Sequence, residues 1–158
     1  MAIDQTHTDE SVVLVVDDNI QNLELILACL EDVECRTLST TDGFEAMDLV
    51  KKDRPDLILL DVMMPKISGF EVCRRLKGDA ATAEIPIIMV TALNELGDIE
   101  RAIQSGTDDF ISKPINKWEL VTRVRTMLKL KYLSDRLERT LAYLSEVEKS
   151  SEMVQGPE

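Results

Sequence analysis

The chain has 158 residues, 44% of them hydrophobic, and a formal net charge of −12. That is enough apolar material for one domain's core plus a modest appendage, and it argues against wholesale disorder. The acid excess argues against a broad nucleic-acid or anionic-membrane surface, because binding phosphates takes Lys and Arg.

Met1–Glu10 carries acids and no apolar run, so it reads as a disordered tail over residues 1–10, neither signal peptide nor anchor. Ser11–Val16 is a β-branched run that ends in acids, the first predicted strand. Asn19–Leu30 has apolar residues at helical spacing, namely Leu23, Ile26, Leu27 and Leu30. Val33–Leu38 is a weaker second strand. Asp42 and Gly43 open a helix with Phe44, Met47 and Val50 on one face, broken by Pro55 and Asp56. Leu57–Leu60 is an apolar third strand running into Asp61. Ser68–Lys77 is the next helix. Pro86 starts the fourth strand, Ile87–Val90. Glu95–Gln104 is helical, with Gly106 as its C-terminal cap. Thr107–Ile111 is the fifth strand, and Asn116 caps a last helix from about Lys117. Strands apolar throughout, alternating with helices, predict a doubly wound α/β sandwich on a parallel sheet.

Cys29, Cys35 and Cys73 are odd in number and form no C-x-x-C pair, so reduced thiols in a cytoplasmic protein are expected. No stretch is long and apolar enough to span a bilayer. His7 reads as a tail residue. Trp118 is expected to pack at the start of the last helix, and Met63–Met64 to pack in a loop around Pro65.

Open α/β sheets bind ligands at the carboxyl ends of their strands. There this sequence places Asp17 and Asp18 after the first strand, Asp61 after the third, Thr91 after the fourth and Lys113 after the fifth. Taken singly, Asp17 and Asp18 could cap a helix, Thr91 could be a loop hydroxyl, and Lys113 a solvated lysine. Together they make a chemical set. Three carboxylates at one rim raise one another's pKa unless a cation compensates. Oxygen ligands without His or Cys suit Mg2+. Asp18 and Asp61 would bind it directly, Asp17 through water, and the Met63 backbone carbonyl would complete the protein's share. A carboxylate can also act as a nucleophile toward phosphorus, with Lys113 and Thr91 binding phosphoryl oxygens.

The segments Val15-Val16-Asp17-Asp18-Asn19, Leu60-Asp61-Val62-Met63-Met64-Pro65, Val90-Thr91-Ala92 and Asp109-Phe110-Ile111-Ser112-Lys113-Pro114 resemble the signature of response-regulator receiver domains. The likeness covers about Val12 to Leu128. It implies a flavodoxin-like receiver with strand order 2-1-3-4-5. It further implies transfer of phosphate to Asp61 from a sensor histidine kinase or phosphotransfer protein, with Mg2+ and slow self-dephosphorylation, in a switch rather than an enzyme. It implies a cis Lys113–Pro114 bond, a Thr91 that moves toward the phosphate, and an aromatic switch at Phe110. Many relatives have Tyr there; Phe has no hydroxyl, so its readout must be steric.

Two rival functions lack their signatures in this chain. A phosphatase of the haloacid-dehalogenase class needs a second Asp two residues after its nucleophile, where this chain has Met63. A flavin or dinucleotide binder would show G-x-G-x-x-G after the first strand, and none is present.

The receiver is expected to span residues 11–129, with a helical extension over 130–149 and a flexible tail over 150–158. Leu130, Leu133, Leu137, Thr140, Leu144 and Val147 alternate steps of three and four, as a coiled-coil seam does, with Leu141 on its flank. A solvated single helix or one folded back on the domain is the alternative to the preferred reading, a parallel homodimer through this helix, through the face of the fourth helix, fifth strand and fifth helix, or through both. The Lys113–Leu133 region resembles receivers that lead into diguanylate-cyclase or cyclic-dinucleotide outputs. No such output segment follows, so the expected target is a downstream protein or an output domain outside this sequence.

Overall fold

The computed structural model describes residues 11–92 and 96–154. In chain order the elements are β1 (Val12–Val16), α1 (Ile20–Leu30), β2 (Arg36–Thr40), α2 (Gly43–Asp53), β3 (Leu57–Leu60), α3 (Gly69–Gly78), β4 (Ile87–Thr91), α4 (Leu96–Ser105), β5 (Asp109–Ser112) and α5 (Lys117–Val154). The strands form one parallel sheet in the order β2-β1-β3-β4-β5. This is the expected doubly wound α/β fold with a long C-terminal helix.

Local chemistry sets the helix starts. Asn19 accepts from the Asn22 N–H, Asp42 from Phe44, Ser68 from Glu71 and Asn116 from Glu119. Each satisfies a donor that the first helical turn leaves without an intrahelical partner. Gly106, at φ +92°, ends α4 in the left-handed region that glycine adopts at no steric cost.

The sheet divides the core in two. On one face Leu14, Val16, Ile58, Leu60 and Met89 pack against α2, α3 and α4. On the other Val13, Val15, Leu57, Leu59 and Ile88 pack against α1 and α5. Alternate residues of each strand serve opposite faces, so both faces must be covered and β3 is buried throughout.

Several local expectations are corrected. The second strand is Arg36–Thr40 rather than Val33–Leu38. Val33 is buried in the turn that closes α1, where its N–H donates to Leu30. The fifth strand begins at Asp109 rather than Thr107. The Thr107 hydroxyl and Asp108 carboxylate bond the Ile87 backbone instead, fastening the start of β4. Phe44 is exposed, and α2 buries Gly43, Ala46 and Val50. Trp118 is 79% exposed and Met63 74%, so neither packs as expected. The last helix continues past Lys149 to Val154. The expected tail over residues 1–10 and the residues from 155 onward lie outside the described residues. No described helix is long and apolar enough to cross a membrane.

Candidate functional site

Parallel pairing brings the strand ends together. Val16 is in register with Leu60, so the residues that follow them, Asp17 and Asp61, leave the sheet side by side. The Asp61 N–H donates to the Val16 carbonyl at 2.9 Å. Thr91 is in register with Ser112, and the next residue, Lys113, donates its N–H to the Thr91 carbonyl at 2.9 Å. Strand order reverses around β1, with β2 on one side and β3 on the other, and the acids sit at that crevice.

Asp17 and Asp61 are buried, and Asp18 is exposed. Carboxylate oxygens of the three lie within 4.8 Å of one another. The Lys113 ammonium bridges the buried pair, 3.1 Å from Asp17 Oδ2 and 3.3 Å from Asp61 Oδ1. Burial pushes the Asp61 carboxyl up to about 6, and the Asp17 charge adds to the rise; Lys113 opposes it without cancelling it. One lysine therefore leaves this site short of positive charge. Its oxygen-only donors fit a hard divalent cation, so Mg2+ is compatible with the residues present.

Thr91 is fully buried, and its Oγ1 is the one buried side-chain polar atom among the described residues that lacks a hydrogen-bond partner. Leaving such a group unpaired costs roughly 1–3 kcal/mol. Thr91 stands at the end of β4, beside Asp61 and Lys113, where a ligand oxygen would satisfy it. Two residues earlier on the same sheet face, Met89 is in register with Phe110. Phe110 is half-buried against the cluster that contains Met89 and Phe70. Thr91 and the Phe110 ring therefore share one face of the sheet. The Lys113–Pro114 peptide is cis.

Sequence reasoning missed the close packing at two glycines. A Cβ on Gly69 would stand 2.2 Å from the Asp61 carbonyl oxygen and 2.8 Å from Val62 Cα, so only glycine fits there. A Cβ on Gly43 would meet Ile67 Cγ2 at 2.6 Å. Between these contacts the loop after Asp61 folds tightly. Gly69 and Met64 both donate to the Val62 carbonyl, and Ile67 donates to Pro65 across Lys66 at φ +70°, a γ-turn of the rarer hand. The available signal was an isolated glycine directly after a capping serine.

Comparison with known proteins agrees with this geometry. The model of the response regulator receiver domain matches residues 13–125. Response regulator PleD of Caulobacter vibrioides is 42% identical over 127 residues, 80% of this chain and 28% of that protein. The chain thus spans under a third of that relative's length. The polar-differentiation response regulator DivK of Brucella anthropi is 40% identical over 116 residues, 73% of this chain and 94% of that protein. The signal receiver domain of a histidine kinase from Syntrophus aciditrophicus superposes with a TM-score of 0.72 at 35% identity, over 76% of this chain and 91% of that one. The phosphorylated cyanobacterial phytochrome response regulator RcpA gives a TM-score of 0.66 at 28% identity, over 75% of this chain and 91% of that one. With its sheet order, its rim of acids and these matches in agreement, the chain belongs to the family of response regulator receiver domains.

Proposed function

We propose that this chain accepts a phosphoryl group on Asp61 from a phosphohistidine of a sensor histidine kinase or phosphotransfer protein, and so switches a protein-interaction surface. An Asp61 carboxylate oxygen attacks phosphorus, the phosphorus–nitrogen bond breaks, and the departing histidine nitrogen takes up a proton from solvent. Lys113 offsets charge on the incoming group, and the Thr91 hydroxyl donates to one of its oxygens. Asp17, Asp18, Asp61 and the Met63 carbonyl are the residues that would hold Mg2+, which supplies the positive charge that one lysine cannot. The observation that carries the reading is the Thr91 hydroxyl, fully buried and unpartnered beside a buried acid whose proton affinity is raised. The phosphorylated state named for the relative RcpA fits the same chemistry.

The switch follows from position. When Thr91 turns toward the phosphoryl group, space opens on the sheet face it shares with Phe110. The ring moves into it and reshapes the surface of α4, β5 and α5. Met63 stands where a rapidly hydrolysing enzyme of related chemistry would need its acid/base, so the acyl phosphate is expected to decay slowly. Incubation with acetyl phosphate and Mg2+ followed by intact-mass measurement tests the proposal. Wild type should gain one phosphate, labile to acid and base, and Asp61→Asn should gain none. Equal gain in both proteins would refute it.

A further inference from the structure

We propose that the outer face of α5 is a pairing surface for a second copy of this chain, joined through the leucine seam. Within the receiver α5 buries Leu120, Val121, Val124 and Leu128 against the sheet. Leu137 follows Leu128 by nine residues, two and a half turns, and so lies on the opposite side of the helix. Leu130, Leu133, Leu137, Leu141, Leu144 and Val147 all belong to that outer side, and each is 46–59% exposed. Residues 136–152 are exposed without exception, so nothing in the described chain covers them.

The occupant is argued from repeat and area. Leu130, Leu137 and Leu144 recur at intervals of seven, the spacing at which an identical helix keeps its seam in contact. Half-exposed side chains of this size present about 100 Å2 each. Six therefore give roughly 1,200 Å2 across a pair, which reaches the lower bound for a specific interface. Thr140 does not spoil the seam, because its hydroxyl already donates to the Arg136 carbonyl at 3.0 Å. A helix projecting this far has little intrinsic stability without a partner.

The test uses the full, unphosphorylated chain, so its failure leaves the proposal for Asp61 standing. Light scattering at about 100 µM should give twice the chain mass. Leu137→Glu/Leu144→Glu should give the chain mass, with a circular dichroism spectrum that loses at most the signal of the projecting helix, and undiminished phosphate gain from acetyl phosphate. Oxidation of Leu137→Cys should give a covalent dimer that wild type, with its three native cysteines, does not form. A wild-type mass other than two copies overturns the pairing, as does equal association of the double variant. A dimer that Leu137→Cys fails to cross-link overturns the leucine seam as its contact.

Discussion

Asp17 and Asp61 share one lysine, which does not offset the burial of Asp61. Its carboxyl titrates near 6 in the fold instead of the ordinary 3.8, with burial the larger cause. The folded state therefore holds this proton more tightly than the unfolded chain does. The resulting stability is complete below about pH 4 and is lost as pH rises toward 6. At neutral pH without metal the ionised group costs on the order of 3 kcal/mol. Asp61→Asn removes that cost, so the variant should melt above wild type at pH 7 in EDTA, with the gap closing near pH 4. Adding Mg2+ should raise the wild-type melting temperature more than the variant's. Equal responses to pH would show that Asp61 carries no such burden. Thr91 is the neutral counterpart. Thr91→Val keeps the side chain's shape and deletes the orphan hydroxyl. It should stabilise the fold by about 1 kcal/mol and slow phosphate gain from acetyl phosphate at least tenfold. A stability loss would mean that the hydroxyl has a partner.

The loop between β3 and α3 shows what a single chain position can control. Gly69 lets the backbone pass directly against the Asp61 carbonyl, with no space for a methyl group. Because the obstacle is backbone, Gly69→Ala cannot be absorbed by a rotamer change. It should destabilise the fold by about 2–4 kcal/mol, read by urea denaturation, and weaken Mg2+ binding measured calorimetrically in the surviving folded protein. Gly43→Ala meets side chains, foremost the Cγ2 methyls of Ile67 and Val72, so those neighbours rather than the backbone must shift and its cost should be smaller. The sequence does not reveal this difference, since both glycines simply open helices and the clash needs the tertiary fold. The rim was legible for the opposite reason: strand ends are marked by the change from apolar to polar residues, so Asp17, Asp61, Thr91 and Lys113 could be placed by pattern alone. The edges of the sheet were harder. β2 is an exposed edge strand of Arg, Thr, Leu, Ser and Thr, and its hydrophobic signal is weaker than that of Val33 in the preceding turn. Trp118 was misplaced because a large aromatic residue predicts burial, and only the helix phase shows that it points outward.

The chain consists of a two-sided core and a lever, and the two have different thermodynamics. The core cluster that α5 joins ends at Leu128, and the next residues to touch the body are Lys131, Tyr132 and Asp135, which are half-buried. Lys131 and Asp135 pair at 2.8 Å, one turn apart. From Arg136 to Glu152 the helix adds no burial within the chain. Ending the chain after Arg136 should therefore leave the receiver's intrinsic stability within about 0.5 kcal/mol of the parent, because only exposed residues are removed. The parent has a further term. If two copies pair through α5, association is linked to folding, and the melting temperature must rise with protein concentration. Calorimetry from about 5 to 500 µM should show that rise for the full chain and a flat line for the shortened one, with the two curves converging at the dilute end. Arg123 connects the two parts. It pairs with Asp109 at 2.7 Å, beside Phe110 on β5, and with Glu119 on α5, on the helix face that leads into the leucine seam. Arg123→Ala should leave the dilute-end melting temperature nearly unchanged, as expected for a pair that is 41% and 27% exposed. It should also reduce the difference in concentration dependence between acetyl-phosphate-treated and untreated protein. If that difference persists undiminished in Arg123→Ala, the signal leaves β5 by another path, and Arg101, stacked 4.6 Å over the Phe70 ring, is the next residue to replace.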